Sequence, residues 1–479
     1  MMVFTDQELA EGCCGSLEQH GVDGSISTDT RTISDNVWFV ALVGERFDAH
    51  NFLDQAREKN CAGVIAQHVP EGWDRGFIKV SDTLIALQNL ARFARSRFMG
   101  PVVGITGSAG KTTTRQMVTM ALSSLGNVHS TIGNFNNHIG VPLSIFAAPP
   151  DADIWVLEMG MNALKEIDLL QDIAKPTHRL ITNVAAAHLE GLGSIENVAK
   201  AKGELFDGAR EGDIVFINRD DPLIMQHPIP EGVQKVFVGK NSDTDVRLQQ
   251  ANLQNNQTHM EVFVRKTQKV HSLILPSPGL HLAQNATLAF AVGLWMGATP
   301  EDMIENLQKY TPVGARLRME TGPTGYQILN DVYNANPLSM LSSIQTLVAL
   351  SKEQSPIKIA LLGDMLEMGE HEIEHHQKFI EELVQCDLQH AILVGPRFLE
   401  AWQCFEKQQA QLNNAEHDVV AQPSISAVSH SSEVLLTLQN QNILPFDHRV
   451  AFLCKGSRGI KMERCIEDLL AFHQSRVSS

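Results

Sequence analysis

The sequence predicts an α/β protein of three domains, on three observations. Apolar runs of strand length alternate with helical segments from residue 102 almost to the C-terminus, the pattern of mostly parallel sheets covered by helices on both faces. The chain has 479 residues, more than one hydrophobic core accommodates. Glycine–proline punctuation at Gly100-Pro101 and Thr311-Pro312-Val313-Gly314 divides it into an N-terminal unit of residues 1–98, a central unit of 99–314 and a Rossmann-like C-terminal unit of 315–479.

In the smaller first unit, residues 37–43 and 63–66 read as strands and 49–59 and 83–97 as helices. The central unit opens with a buried strand at 101–105 and a helix at 112–122; strands follow at 153–159, 179–183 and 213–218, with helices between them. Polar and apolar residues alternate over 245–275, which predicts an antiparallel excursion before a helix at 283–295. The most apolar helical stretch, 286–298, falls short of the ~18 residues of a membrane span and reads as core. Beyond the second boundary, 357–362, 391–394 and 450–453 read as parallel strands and 338–350, 373–384 and 461–475 as helices, with a polar, frayed tail at 474–479.

Composition is that of a soluble globular protein, with 43% hydrophobic and 19% charged residues. The formal charge of -17 argues against a general binder of nucleic acid or anionic membrane, while leaving room for a local basic pocket. Seven cysteines without a C-x-x-C pair fit reduced thiols, and no secretory signal opens the chain, so the cytoplasm is expected.

The strongest motif is Gly104-Ile105-Thr106-Gly107-Ser108-Ala109-Gly110-Lys111-Thr112-Thr113. Its glycines let consecutive amide N–H groups turn toward phosphate oxygens, its lysine supplies charge, and its first threonine offers a hydroxyl to magnesium. The helix after it adds a positive dipole end. The spacing is a shortened form, because Ile105 stands where the usual triphosphate loop has its first glycine.

A triphosphate site needs oxygen ligands for magnesium. Glu158 ends an apolar strand, where an α/β sheet places its ligands and where an unpaired carboxylate is costly. His188 follows another such strand in Ala185-Ala186-Ala187-His188-Leu189-Glu190-Gly191; alone it reads as a structural histidine, but it sits at the same sheet edge as Glu158. Lys202, in Ala199-Lys200-Ala201-Lys202-Gly203-Glu204, reads from its neighbours as a solvated helix residue. Two further patterns compete. His371-Glu372-Ile373-Glu374-His375 matches the zinc-protease H-E-x-x-H, a match easily made by chance in a chain with 19 histidines. Asn218-Arg219-Asp220-Asp221 vaguely resembles a guanine-reading motif of a nucleotide switch, with arginine in place of lysine.

The 107–113 loop, Glu158-Met159-Gly160, His188, Ala201-Lys202 and His281-x-x-x-Asn285 together resemble the central ATPase domain of the Mur ligases, which build the cytoplasmic peptidoglycan precursor and use this shortened loop. Gly44-Glu45-Arg46-Phe47-Asp48-Ala49-His50, Gly133-Asn134-Phe135-Asn136-Asn137-His138-Ile139-Gly140-Val141-Pro142 and Asp331-Val332-Tyr333-Asn334-Ala335-Asn336-Pro337 are similar to stretches of the family member that joins D-alanyl-D-alanine to UDP-N-acetylmuramoyl-tripeptide. Gly363-Asp364-Met365-Leu366-Glu367-Met368-Gly369 and Lys455-Gly456-Ser457-Arg458 extend the resemblance over essentially the whole chain.

The resemblance implies a three-domain, monomeric, ATP-dependent amide ligase acting through an acyl phosphate. Gly107, Ser108, Ala109, Gly110, Lys111, Thr112 and Thr113 would cradle ATP, with Lys111 on the terminal phosphates. Thr112 and Glu158 would hold one Mg2+ and His188 would help hold a second; Lys202 matches the family's carbamylated lysine, an amine turned by carbon dioxide into an oxygen ligand. Asn285 would approach the adenine, and Arg316 and Asp331 would reach the phosphates and ribose from the third unit. Thr30 and Arg31 would contact the uridine-diphosphate end of the substrate, and Asn134 and Asn137 its sugar and phosphate region. The attacking amine would lose its proton to His188 or to a nearby carboxylate. Leu282 departs from the family pattern, standing where an asparagine usually follows the histidine. A sister amide ligase of the folate-polyglutamylating kind would share the loop and lack the first unit.

Overall fold

The computed structural model describes residues 1–45, 47–350, 356–412, 423–441, 443 and 446–477. Arg46 of the expected 44–50 motif and the last two residues of the expected frayed tail lie outside them.

The chain folds as three α/β domains, each around its own sheet. The first sheet runs Ser16–Gln19, Gly76–Lys79, Gly63–Ala66, Val37–Val40, Ser25–Ser27 in space, antiparallel at its first pair and parallel thereafter. Its centre is Trp38, fully buried, whose indole N–H donates to the Val22 carbonyl at 2.9 Å. The ring fits only because glycines face it: a Cβ at Gly63 or Gly76 would lie 2.5 Å from it. The expected strand at 37–43 ends at Val40, and Val43–Gly44 pairs instead with Phe47–Asp48 as a separate hairpin. The expected helix at 49–59 begins as a 3-10 turn, Ala49–Phe52, before the α-helix Leu53–Glu58, because Asp48 accepts from both the His50 amide and its ring and tightens the entry.

The central sheet has nine strands, ordered Lys269–Leu275, Gln257–Val264, Val246–Gln254, Gln234–Gly239, Ile214–Asn218, His178–Ile181, Val102–Thr106, Ile154–Glu158, Val128–Ser130. The first three form the expected antiparallel excursion, and the pairs from Val246–Gln254 onward are parallel. After Val102–Thr106 the chain fills one side of that strand and then crosses to the other, so the loop leaving it lies at a topological switch point. The helix after that loop, Lys111–Leu122, packs on Leu280–Met296, a helix buried on nearly every face, as its apolar sequence predicts.

The third sheet runs Arg318–Thr321, Gln327–Asp331, Val450–Lys455, Ile357–Gly363, His390–Val394, Ser424–Val428, parallel except at its first pair. The H-E-x-x-H reading fails here. The helix Glu372–Leu383 starts after His371, which only touches exposed Glu374, and no cluster of metal-ligating side chains occurs among the described residues. The buried histidine is the next one, His376: its Nδ1 donates to the Glu372 carbonyl at 2.6 Å, its Nε2 accepts from the Met365 amide at 3.0 Å, and Phe398 packs against it edge to face. Only the neutral ring can donate and accept in this way, and burial pushes its pKa down to about 4. Between pH 6.5 and 4 the unfolded chain binds a proton that native His376 refuses, so stability is full above that window and falls as pH drops through it. The expected loss is on the order of 3 kcal/mol by the lower end. Urea midpoints of the C-terminal domain transition across that range, for the native chain and His376→Gln, check it; the variant should show the weaker pH dependence.

Candidate active site

The phosphate loop is shaped by its neighbours. Gly107 sits at φ 152°, and a Cβ there would lie 1.9 Å from Thr182 Oγ1; Gly110 sits at φ 76° and caps the helix Lys111–Leu122. Asn183, at the edge of the next strand, holds the loop on both sides: its carbonyl accepts from the Ser108 amide and its Oδ1 from the Ala109 amide, both at 2.9 Å, while its Nδ2 donates to the Ala109 carbonyl at 3.0 Å. Thr182 Oγ1 donates to the same carbonyl at 2.7 Å. Lys111 Nζ donates to the Gly107 carbonyl at 2.6 Å, so it folds back over the loop. Burial lowers its pKa, while Glu158 and Glu367 oppose that shift.

Glu158 closes its strand with a side chain 2% exposed. Its Oε1 accepts from Asn136 Nδ2 at 2.8 Å; its Oε2 is buried without a hydrogen-bond partner and faces Arg115 Nε, also unpartnered, at 3.7 Å. The Arg115 guanidinium donates to the Thr131 carbonyl and ties the loop helix to the base of the 133–142 loop. An orphaned carboxylate oxygen, with the buried hydroxyl of Thr112 on the first turn of the loop helix, is a donor set suited to a hard divalent cation.

Lys202 corrects the sequence reading. Expected in solvent, it is 1% exposed on the inner face of the helix Ile195–Asp207. Burial drives its pKa well below that of a free lysine, and the nearby Lys111 adds to the shift.

The third domain completes the cleft. Glu367 Oε2 lies 2.8 Å from His188 Nδ1, and the neighbouring ring holds the Glu367 carboxyl below the usual range. Asn336 Nδ2 donates to the Ser108 carbonyl at 3.4 Å, a direct link from the third domain to the phosphate loop. The Arg316 guanidinium stacks 3.7 Å above the Tyr333 ring. Asp331 spends both oxygens on its surroundings: Oδ2 accepts from Lys455 Nζ at 2.6 Å and from Ser343 Oγ at 2.7 Å, Oδ1 from the Leu317 amide at 3.2 Å. Asn285, nearly buried, abuts the loop at Gly110, and Leu282 beside it is core.

Two cavities result. One of about 790 Å3 brings together Ser108, Ala109, Gly110, Lys111, Thr112 and Thr113 with Glu158, His188, Asn285, Arg316 and Asp331; Gly107 and Lys202 are not among its lining residues. The other, about 820 Å3, takes in Thr30 and Arg31 with Phe47, Phe52 and Gln55 of the first domain. Asn134 and Asn137 line both, so they stand where the two meet. Thr30 Oγ1 donates to Gln55 Oε1 at 2.8 Å, and exposed Arg31 forks onto Asp29, whose pKa its hydrogen bonds pull down to about 2. Of the stretch 218–221 that resembles a guanine-reading motif, Asn218, Asp220 and Asp221 line the first cavity and are also tied into the fold: Asn218 Nδ2 donates to the Thr182 carbonyl at 2.7 Å, and Asp221 caps the helix Pro222–Gln226 and accepts from the Val184 amide at 2.7 Å.

Asn136, Arg115, Asn183 and Glu367 escape the sequence reading. Asn183 left a trace as a polar residue ending an apolar strand, and Asn136 and Glu367 sit inside motifs whose individual roles the spacing does not separate.

Comparison with known proteins agrees over the whole length. Residues 105–293 match the Mur ligase middle domain and 316–437 the Mur ligase, glutamate ligase domain. The UDP-N-acetylmuramoyl-tripeptide--D-alanyl-D-alanine ligase of Bacillus subtilis is 34% identical, over 98% of this chain and 99% of the relative. Among solved structures, MurF from Acinetobacter baumannii superposes with a TM-score of 0.87 at 28% identity, covering 98% of this chain and 99% of the other. MurF from Thermotoga maritima in complex with ADP gives 0.80 at 26% identity, covering 95% and 98%. With the shortened phosphate loop, the buried lysine behind it and likeness along all three domains, the chain belongs to the Mur ligase family.

Proposed function

We propose that the chain joins D-alanyl-D-alanine to UDP-N-acetylmuramoyl-tripeptide, using ATP to activate the tripeptide carboxyl as an acyl phosphate. The observation that carries this reading is the pair of cavities meeting at Asn134 and Asn137: a triphosphate loop stands at one end and a pocket holding Thr30, Arg31 and four phenylalanine rings at the other. A substrate with a nucleotide diphosphate at one end and a reacting carboxyl at the other matches that layout. One chain supplies both ends, so it acts as a monomer, in the cytoplasm where ATP and nucleotide-linked precursors are found.

Forming an amide in water requires a leaving group better than hydroxide, and phosphate supplies it. Magnesium, when bound, would neutralise charge on the transferring phosphoryl group and on the tetrahedral intermediate. Thr112, Glu158 and His188 are the residues to hold it, joined by Lys202 once its neutral amine has formed an N–C bond to carbon dioxide and released a proton. Lys111 brings its charge to the terminal phosphates from a water-poor site, where that charge counts for more than in water. Asn136 fixes the Glu158 carboxylate through Oε1 and leaves Oε2 for the metal. Asn285 and Arg316 line the cavity and would flank a bound nucleotide, Arg316 from the third domain. Asp331 accepts three hydrogen bonds from its own domain, which fix it in the wall, and keeps one acceptor position on Oδ1 for a ribose hydroxyl.

The test is ADP release with the UDP-linked tripeptide, with and without D-alanyl-D-alanine. Steady turnover is expected only with both, and steady ADP release without the dipeptide, or none with it, overturns the assignment.

A further inference from the structure

The turn after the strand Ile357–Gly363 is held more firmly than a surface loop needs. The Asp364 amide donates to the Val394 carbonyl at 2.9 Å, the Met365 amide to His376 Nε2 at 3.0 Å and the Leu366 amide to Ser457 Oγ at 2.9 Å. Next comes Glu367 at φ 62°, a left-handed conformation that costs a non-glycine residue free energy and persists where its surroundings over-determine it. Its carbonyl accepts from the Glu190 amide across the domain boundary at 3.3 Å. Opposite stands His188, also left-handed at φ 57°. Two strained turns from different domains are thus clamped face to face, and the side chain one of them aims into the cleft is a carboxylate.

The other carboxylates of the cleft are committed elsewhere or, like Glu166, belong to the domain that carries the phosphate loop itself. Asp220, Asp221 and Asp331 engage both oxygens, and Glu158 is buried between Asn136 and Arg115 with its remaining oxygen assigned to the metal. Glu166 caps the Asn162 amide from the central domain. Glu367 has only its Oε2 beside His188; its Oε1 has no partner among the described residues, and the side chain is 54% exposed. It also lies within electrostatic reach of Lys111. A carboxyl activated at the phosphate loop must be attacked from the facing wall, and an incoming amine arrives as a cation in a cleft that already holds Lys111 and Arg316. It needs a counter-charge on that wall.

We propose that Glu367 binds the ammonium group of the incoming dipeptide and holds its nitrogen facing the activated carboxyl until it gives up a proton and attacks as the free amine, an assignment that rests on the ligase reading above. Glu367→Gln keeps the shape and hydrogen-bonding capacity toward His188 and removes the charge; Glu367→Asp keeps the charge and shortens the reach. Full-length variants are assayed for KM and kcat with each substrate, and the dipeptide-independent step is read by trapping the acyl phosphate with hydroxylamine, a neutral nucleophile. Glu367→Gln is expected to raise the dipeptide KM roughly 10- to 100-fold while the hydroxamate rate and the KM for ATP and the UDP-linked tripeptide stay within about twofold; Glu367→Asp falls between. An unchanged dipeptide KM in Glu367→Gln overturns the proposal, as does a fall in hydroxamate yield with all KM values moving together, which marks Glu367 as a support for His188. If the unaltered chain forms neither hydroxamate nor amide, the ligase reading itself fails and this assignment falls with it.

Discussion

Lys111→Ala is expected to abolish ADP formation, by roughly 10³-fold or more, the scale on which removing a preorganised charge from a water-poor site acts. The stability of the chain should change little. The side chain is half-buried, which costs desolvation energy, and the bond it makes is to the Gly107 carbonyl of its own loop. Loss of turnover in a variant whose thermal midpoint matches the native chain locates the effect in phosphate handling. Normal turnover in a folded Lys111→Ala protein removes the loop from the chemistry and the ligase assignment with it.

Lys202→Ala is expected to lose comparable activity and, unlike Lys111→Ala, to recover part of it when short-chain carboxylic acids are added. The native side chain is 1% exposed and bears on Lys111, so truncation leaves a space behind the loop that a small carboxylate can enter. A carboxylic acid restores the oxygen donors a carbamate would carry, whereas alkylamines restore only the charge of lysine. Rescue by acetate or propionate and not by an amine supports a carbamate at this position. Full activity without additive, or rescue by the amine alone, contradicts it. The two variants together would separate a cation acting on phosphate from an amine acting as a carbamate.

The difference between these lysines is also the clearest measure of what the sequence discloses. Lys111 announces itself because its chemistry is local: two glycines, a strand before and a helix after are all within a dozen residues, and their spacing alone builds a phosphate cradle. Lys202 sits among Ala201, Gly203 and Glu204 in a helix whose pattern does not say which face meets another domain layer. Its burial follows from packing of Ile195–Asp207 beneath the central sheet, a long-range fact. The same contrast separates Glu158, legible as a carboxylate ending an apolar strand, from Asn136 and Arg115, whose reach toward it depends on how the 133–142 loop folds back over the sheet edge. The first domain shows the limit in secondary structure: a single hydrogen-bonding side chain, Asp48, was enough to turn an expected helix start into a 3-10 turn.

The amino-acid order by itself determined the α/β class, the order of most strands and helices, the antiparallel excursion at 245–275 and the place of the phosphate loop, since hydrophobic period and turn chemistry act over a few residues. Only the tertiary structure decided that Lys202 is buried behind that loop, that Asn134 and Asn137 join two cavities, and that His188 meets Glu367 across a domain boundary. Each of these depends on segments far apart in the chain brought together by packing, and burial and contact at that range are set by the fold as a whole.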